Sequence, residues 1–417
     1  MKLKKLKVFL LTVYALFSAS VLSLGATAGY YSNSIADAYK ITKGTEFGID
    51  TLVPVTAEYN GVKFSSCEEI NTVGKEIKVD VKLFGIIPVK STTVEIVEES
   101  YVAVLGTPFG VKMYTDGVLV VDIQEIKSSG KTVNPAKEAG IKKGDYIISV
   151  DGKKVSTNED LAEVFSKSQG KKLKTEIRRE GKSKNFYITP VLSDEDGTYK
   201  AGIWVKDSTA GIGTLTFYCP NNNIICGLGH GIYDNETREI ISFCSGEMVG
   251  AHIYSTVKGA KGVAGELKGR LTYTAIGELA GNFTNGVYGQ ARCNVNTDNL
   301  TQVAHKQEIK DGPATIITTV DEGEAMAYSC EIKVGSMHVN DTVQDLTVVI
   351  TDENLLEKTG GIVQGMSGSP ILQNGKLIGA VTHVLVDDPT KGYGIFAETM
   401  LETAQSLAES NKLKDAS

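Results

Sequence analysis

The second half of this chain is a succession of short apolar runs, and that pattern limits its architecture more than any other feature. "GIGTLTFY", "REIISFC", "GRLTYTAIGELAG", "GVYGQARCNV", "ATIITTV", "SCEIKVG", "LTVVIT", "GSPILQNGKLIGAVTHVLV" and "GYGIFAE" follow one another with turns at roughly eight-to-twelve-residue spacing. Strands this short and this evenly punctuated close into a barrel or stack as a sandwich. Parallel α/β alternation is excluded, because no helical periods separate the runs. The 44 glycines among 417 residues agree with many turns, and the length calls for two or three folded units rather than one core.

The first residues read "MKLKKLKVFLLTVYALFSASVLSLGATAGYYS". Lys2, Lys4, Lys5 and Lys7 precede an uncharged run from Val8 to Ala28, long enough to cross a bilayer as a helix. The lysines keep their end in the cytoplasm, so everything after the run is expected outside it. "ATA" at 26–28 also has the small residues of a signal-peptidase site, which leaves a cleaved signal and a retained anchor both open. The formal charge of -7 becomes -11 without the four lysines, and nucleic acid is therefore not an expected partner.

The six cysteines, at 67, 219, 226, 244, 293 and 330, have no metal-ligand spacing, and no metal or other cofactor is expected. In an exported protein "CPNNNIIC", Cys219 to Cys226, could close a hairpin with a disulfide, or its thiols could serve as small buried hydrophobes.

Between Val79 and Val97 apolar and polar residues alternate in places, as in half-buried strands. Further on, "GVLVVDIQ" reads as a buried strand. "NPAKEAGIKKGDYIISVDGKKV" reads as a short helix, a glycine-punctuated turn and a strand, and "NEDLAEVFSKS" has helical spacing. Ala139, Gly140, Ile141, Gly144, Asp145 and Ile147 resemble the A-G-[IL]-x-x-G-D-x-[IL] signature of bacterial-type PDZ domains. That resemblance implies an extended peptide bound as an added strand, with the carboxylate-binding turn at Pro108, Phe109, Gly110 and Val111. Pro108 has no N–H to offer there. Polar "LSDEDGTYKAG", Leu192 to Gly202, reads as a linker.

Chemistry concentrates in "QGMSGSP", where Gly365, Ser367 and Gly368 could turn the backbone sharply and aim N–H groups at one point. The pattern resembles the nucleophile loop of chymotrypsin-like serine proteases. The resemblance implies Ser367 as nucleophile, Ser369 as the following small residue, and the amides of Gly365 and Ser367 as the oxyanion hole. A serine hydroxyl needs a base, and there are five histidines, at 230, 252, 305, 338 and 383. His230 is crowded by Gly227, Gly229 and Gly231 at a strand end, an odd place for a core histidine, whereas His383 lies on an alternating strand. The orienting acid is open among Asp352, Asp234, Asp387 and Asp388, and Asp352 could equally cap the helix that follows it.

"AGIWVKDSTAGIGTLTFY", "GLGHGIYD" and "ITDENLLEKTGGIVQGMSGSPILQNGKLIGAVTHVLVDDPTKGYGIF", together with the PDZ-like module, resemble the stage IV sporulation protein B family of serine peptidases. The resemblance implies a triad of His230, Asp352 and Ser367. It also implies self-cleavage, and limited proteolysis of a regulator of an intramembrane metalloprotease that leads to a late sigma factor. The protein would be anchored through residues 8–28, then released into the space between forespore and mother-cell membranes. The expected organisation is a mainly β chain: a signal or anchor at 1–29, a β region at 30–100, a PDZ domain at 101–191, a chymotrypsin-like double β-barrel peptidase at 200–405, and a tail at 406–417. A broad envelope quality-control protease and a catalytically silent PDZ adaptor are the rival readings.

Overall fold

A computed structural model describes residues 2–49, 51–64, 72–234, 238–335 and 344–415; Cys67 and His338 lie outside them. The apolar N-terminal run is one helix, α1 (Lys2–Ser34), and its stretch Phe9–Ser34 is long and apolar enough to cross a membrane. The last turn of α1 enters the next unit: Tyr31 and Ile35 are buried there, and the Tyr31 hydroxyl accepts from the Val53 amide at 3.2 Å. That unit is a five-stranded sheet formed by residues 38–97. Strand Glu76–Leu83 alternates exposed and buried side chains along its length, as the period-two pattern implies, and buries Ile77, Val79, Val81 and Leu83.

Twelve strands then build two barrels. In the first, β1 (Pro108–Ile123), β2 (Ile203–Cys219), β3 (Ile224–Gly227), β4 (Phe243–Val257), β5 (Glu266–Phe283) and β6 (Gly286–Ala291) close a ring in the order β1-β2-β3-β6-β5-β4. In the second, β7 (Gly312–Thr318), β8 (Met326–Val334), β9 (Leu346–Ile350), β10 (Pro370–Gln373), β11 (Lys376–Val384) and β12 (Lys391–Phe396) close in the order β7-β8-β9-β12-β11-β10. The two rings share one circular order, so the double barrel is a structural repeat, and closure leaves neither with an open edge. Helix α4 (Ala397–Asp415) follows, burying Met400, Leu401 and Ala404.

The PDZ-like module is inserted between the first two strands of the first barrel. Its strands Tyr146–Val150, Leu173–Arg179 and Lys182–Ile188 extend from the second half of β1, and helix α2 (Asn158–Lys167) covers them with Leu161 and Phe165 buried. Asp145, in the signature turn, is buried and accepts from Arg179 at 2.6 and 2.7 Å, so the signature acid ties the turn to a neighbouring strand. The peptidase unit accordingly needs residues from 108 onward, and a boundary near 191–200 cuts through its first barrel. "LSDEDGTYKAG" is no free linker either: Val191–Leu192 pairs with Tyr199–Lys200 as a tight hairpin.

The open choice for the cysteines is decided, and the expectation for the PDZ loop changes. Cys219 and Cys226 are free and buried, and the hairpin register sets Cys219 opposite Ile224 and Cys226 opposite Phe217. Burial raises both thiols above their usual range, as expected of small core hydrophobes. Pro108, Phe109, Gly110 and Val111 form no carboxylate-binding turn. They lie inside β1 between β2 and β4, with Phe109 and Val111 buried in the first barrel, so no strand edge is left there for a peptide.

Candidate active site

The loop around Ser367 hangs between the barrels and is held from both. From the first barrel, β2 grips it three times. Thr214 donates its amide to the Ser367 carbonyl at 2.9 Å and its hydroxyl to the Gly365 carbonyl at 2.8 Å, while Thr216 donates its hydroxyl to the Gly368 carbonyl at 2.7 Å. From the second barrel, the Gly368 amide donates to Val381 at 2.7 Å. Gly365 and Gly368 take φ of 98° and 95°, a region that penalises any side chain, and a Cβ on Gly368 would stand 2.0 Å from the Thr214 carbonyl oxygen.

This geometry separates the two serines. Ser369 is fully buried and donates to the Met366 carbonyl at 2.7 Å, closing the turn. Ser367 is half-buried, and its Oγ donates to the Thr382 carbonyl at 2.7 Å. The amides of Met366, Gly368 and Ser369 are spent on Val363, Val381 and Met366 carbonyls. Among the described residues, the amides of Gly365 and Ser367 have no acceptor. Those are the two donors expected for an oxyanion hole, held open by a loop whose other polar groups are engaged.

His230 follows two left-handed residues, Leu228 at φ 66° and Gly229 at φ 67°, which swing it off the end of β3. Its ring lies 4.6 Å from that of His383, centroid to centroid, at an interplanar angle of 31°. Since Ser367 bonds to the carbonyl of Thr382, the residue before His383, the serine and His230 flank the same stretch of β11. His383 is a neighbour that the sequence pattern missed; its alternating strand marked it only as packed or surface-exposed.

The His230 Nδ1 lies 2.8 Å from the Gly231 carbonyl oxygen. A carbonyl can only accept, so Nδ1 carries the proton and Nε2 keeps its lone pair, the tautomer that a general base requires. Burial brings the His230 pKa down to about 4; the Gly231 bond opposes that shift and His383 adds a little to it. The imidazole is therefore neutral at physiological pH.

Asp352 is not brought to His230. It caps helix α3 (Glu353–Thr359): one carboxylate oxygen accepts from the Leu355 amide at 3.1 Å, and the other from the Ser329 amide on β8 at 3.3 Å. Capping is the alternative that its position before a helix already offered. Asp388 pairs with Lys391, and Asp387 is exposed. Asp234 is buried and its amide bonds to Glu239. Of the other histidines, His305 pairs with Glu398 at 2.7 Å beside the N-terminal sheet, and His252 lies opposite Arg270 on β4. Among the described residues no group of three or more His, Cys, Asp or Glu side chains could hold a metal.

Residues 197–401 match the model of the SpoIVB peptidase S55 family, and residues 104–189 match that of a PDZ domain. The chain belongs to the SpoIVB peptidase S55 family. Partial likenesses accompany this match. Over 82 residues the chain is 38% identical to the protein named putative zinc metalloprotease LL2128 of Lactococcus lactis, covering 20% of this chain and 19% of that one. Over 109 residues it is 30% identical to the similarly named CPE1693 of Clostridium perfringens, covering 26% and 28%. The chain thus spans less than a third of the length of these relatives. The PDZ domain of the SdrC-like protein of Listeria monocytogenes aligns with 22% of this chain and 87% of its own, at 23% identity and a TM-score of 0.18.

Proposed function

We propose that this S55-family chain is a serine endopeptidase that performs limited, regulatory proteolysis, self-cleavage included, with Ser367 as nucleophile and His230 as base. The observation that carries the reading is the pair of unengaged amides, Gly365 and Ser367, in a glycine loop whose remaining amides are engaged. In the resting arrangement the Ser367 hydroxyl is parked on the Thr382 carbonyl. Rotation about χ1 would carry it toward the Nε2 of neutral His230. His230 takes the hydroxyl proton as Oγ attacks the peptide carbonyl, and the two amides receive the oxyanion. The proton then passes to the leaving amine as the C–N bond breaks, and water repeats the sequence on the acyl-enzyme. The Gly231 carbonyl fills the position on Nδ1 that an acid fills in a Ser-His-Asp triad. The role proposed for Asp352 is to cap the helix that leads into the loop.

The family match supports placing this activity in sporulation signalling, with the chain itself and a regulator of an intramembrane metalloprotease as substrates. The apolar helix α1 supports export and anchoring in the space between forespore and mother-cell membranes. The test is mass spectrometry of the full chain in detergent, incubated beside Ser367→Ala and challenged with a fluorophosphonate. Trimming at a few defined bonds and one adduct on Ser367, both absent from the variant, support the reading. Broad casein digestion would favour a quality-control protease instead, and an unlabelled, untrimmed wild type would leave a silent adaptor.

A further inference from the structure

One edge of the N-terminal sheet presents large apolar side chains and no charge. Strand Glu76–Leu83 turns into strand Ile87–Val97 through Phe84, Gly85 and Ile86, and Phe84 is 52% and Ile86 79% exposed. Leu52, 99% exposed, lies on a segment bound to this hairpin tip: the Phe84 amide donates to the Pro54 carbonyl at 3.0 Å, and Val55 pairs with Leu83. Residues 51–57 and 83–89 include no charged side chain. At the opposite end of the sheet the exposed Val62 and Val73 stand instead beside exposed Lys63, Lys75 and Glu76. Single exposed apolar residues are ordinary, but three together on an uncharged edge mark a contact surface.

The path of α1 decides what that surface meets. The Lys90 ammonium donates to the Ile35 carbonyl at 2.7 Å and the Thr92 hydroxyl to the Ala36 carbonyl at 2.9 Å, so the end of α1 is level with residues 90–92. From there helix and strand run back in the same sense. Ala28 and Ile87 pack against the same core, and the Tyr31 hydroxyl bonds to Val53, next to the Pro54 that holds Phe84. The strand from Thr92 back to Ile86 covers about 20 Å, and the helix from Ala36 back to Ala28 only about 12 Å. The tip therefore reaches the level of Ala28 even where the strand is inclined to the helix. The uncharged run from Val8 to Ala28 covers about 30 Å, the thickness of a hydrocarbon core, which puts Ala28 at its outer boundary. Tyr30, 67% exposed, stands just beyond, at the level where aromatic rings gather in membranes.

We propose that Leu52, Phe84 and Ile86 dip into the bilayer surface beside α1, so that the N-terminal sheet rests on lipid as a second contact in addition to the spanning helix. The inference rests on α1 crossing the bilayer and is independent of the peptidase reading. The partner is the lipid surface itself, without need of an anionic headgroup, because the edge offers apolar side chains and no cation. The consequence for the peptidase unit is positional. Thr42 Oγ1 lies 3.3 Å from His305 Nε2, and Lys40 pairs with Glu402 on α4, which ties the sheet to that unit. A seated edge then fixes the height of Ser367 above the membrane, where a single helix would leave the exported part free to swing.

The test reads depth. In a Trp204→Phe background, Phe84→Trp or Ile86→Trp places the chain's one tryptophan at the tip, and Leu16→Trp, an exposed position midway along the apolar run, reports the span. Each full chain is reconstituted in phosphatidylcholine vesicles whose acyl chains are unbrominated, brominated near the headgroup, or brominated near the methyl end. Both tip probes should be quenched at least about twofold by the headgroup-proximal bromines, since interfacial apolar faces sit about 5–10 Å into the headgroup boundary, and Leu16→Trp by the distal ones. Adding Leu52→Ser and Phe84→Ser to Ile86→Trp should remove most of its quenching at a Tm close to wild type, because both side chains are exposed. Unquenched tip probes beside a quenched Leu16→Trp overturn the surface contact and leave the anchor. No quenching at any of the three positions removes the span and the proposal with it. Blue-shifted tip emission that grows with the protein-to-lipid ratio, without quenching, assigns the edge to a second copy of the chain and overturns the proposal.

Discussion

Asp352→Asn separates a helix cap from a catalytic acid. In the structure the Asp352 carboxylate accepts two hydrogen bonds, from Leu355 at 3.1 Å and Ser329 at 3.3 Å. Asparagine caps a helix about as well as aspartate, so its carbonyl oxygen keeps the Leu355 bond. Its NH2 cannot accept from the Ser329 amide, and loss of that long bond costs about 1 kcal/mol. In a unit of this size that is a fall in Tm of about 2–4 °C. The acylation rate should stay within a few-fold of wild type, because His230 Nδ1 already has a partner in Gly231. An acid that orients the base behaves differently: its replacement by the amide lowers kcat by about 10⁴ in the Ser-His-Asp template. Differential scanning calorimetry beside fluorophosphonate labelling of the full chain decides between them. A loss of a thousandfold or more at unchanged Tm would refute the cap assignment and return Asp352 to the triad.

The remaining expectations concern the same loop and its base. Ser369→Ala should cost about 1 kcal/mol in calorimetry through the lost bond to Met366 and still label, whereas Ser367→Ala, losing its bond to Thr382, should cost no more than that and lose labelling altogether. Thr214→Val removes the hydroxyl on the Gly365 carbonyl but leaves the β2 amide in place, so labelling should slow with its amplitude retained. Because His230 must be neutral to act as base and its pKa lies at about 4, the acid limb of the pH–rate profile should fall near pH 4 rather than near 6.5. The stability linkage has the same origin. Below about pH 6.5 the unfolded His230 binds a proton that the folded one refuses, so this residue weakens the fold progressively from there down to about pH 4, as pH-dependent calorimetry would register. His383→Gln removes a neighbouring charge that lowers His230, and should move the acid limb upward.

What the sequence revealed, and what it hid, follows the range of the contacts involved. Local chemistry was legible. The apolar run became α1, the A-G-I and G-D residues formed the PDZ turn, and Gly365 and Gly368 adopted the positive φ that gives Ser367 its setting. The acid was not legible, because a cap before "ENLLEKT" and a triad member present the same local pattern. Only the two accepted bonds distinguish them. His383 was hidden for a similar reason: strand periodicity says which face a residue takes, but not which ring from another barrel comes to lie beside it.

The misplaced PDZ loop has the deeper cause. "TPFGVKM" precedes the strand "GVLVVDIQ" in sequence and reads as its partner. In the fold, both stretches lie in one sixteen-residue strand, β1, whose first half belongs to a barrel and whose second half belongs to the PDZ sheet. The partner of that second half arrives some eighty residues later as the start of β2. Strand pairing is decided by burial on both faces over long separations, and nothing local records it. The insertion that makes the module hard to delimit is also what makes β2 common to the PDZ sheet and to the strand that holds the Ser367 loop. Had the PDZ sheet been built from strands of its own, joined to the barrels by a linker, each unit would have been legible as a separate stretch of sequence.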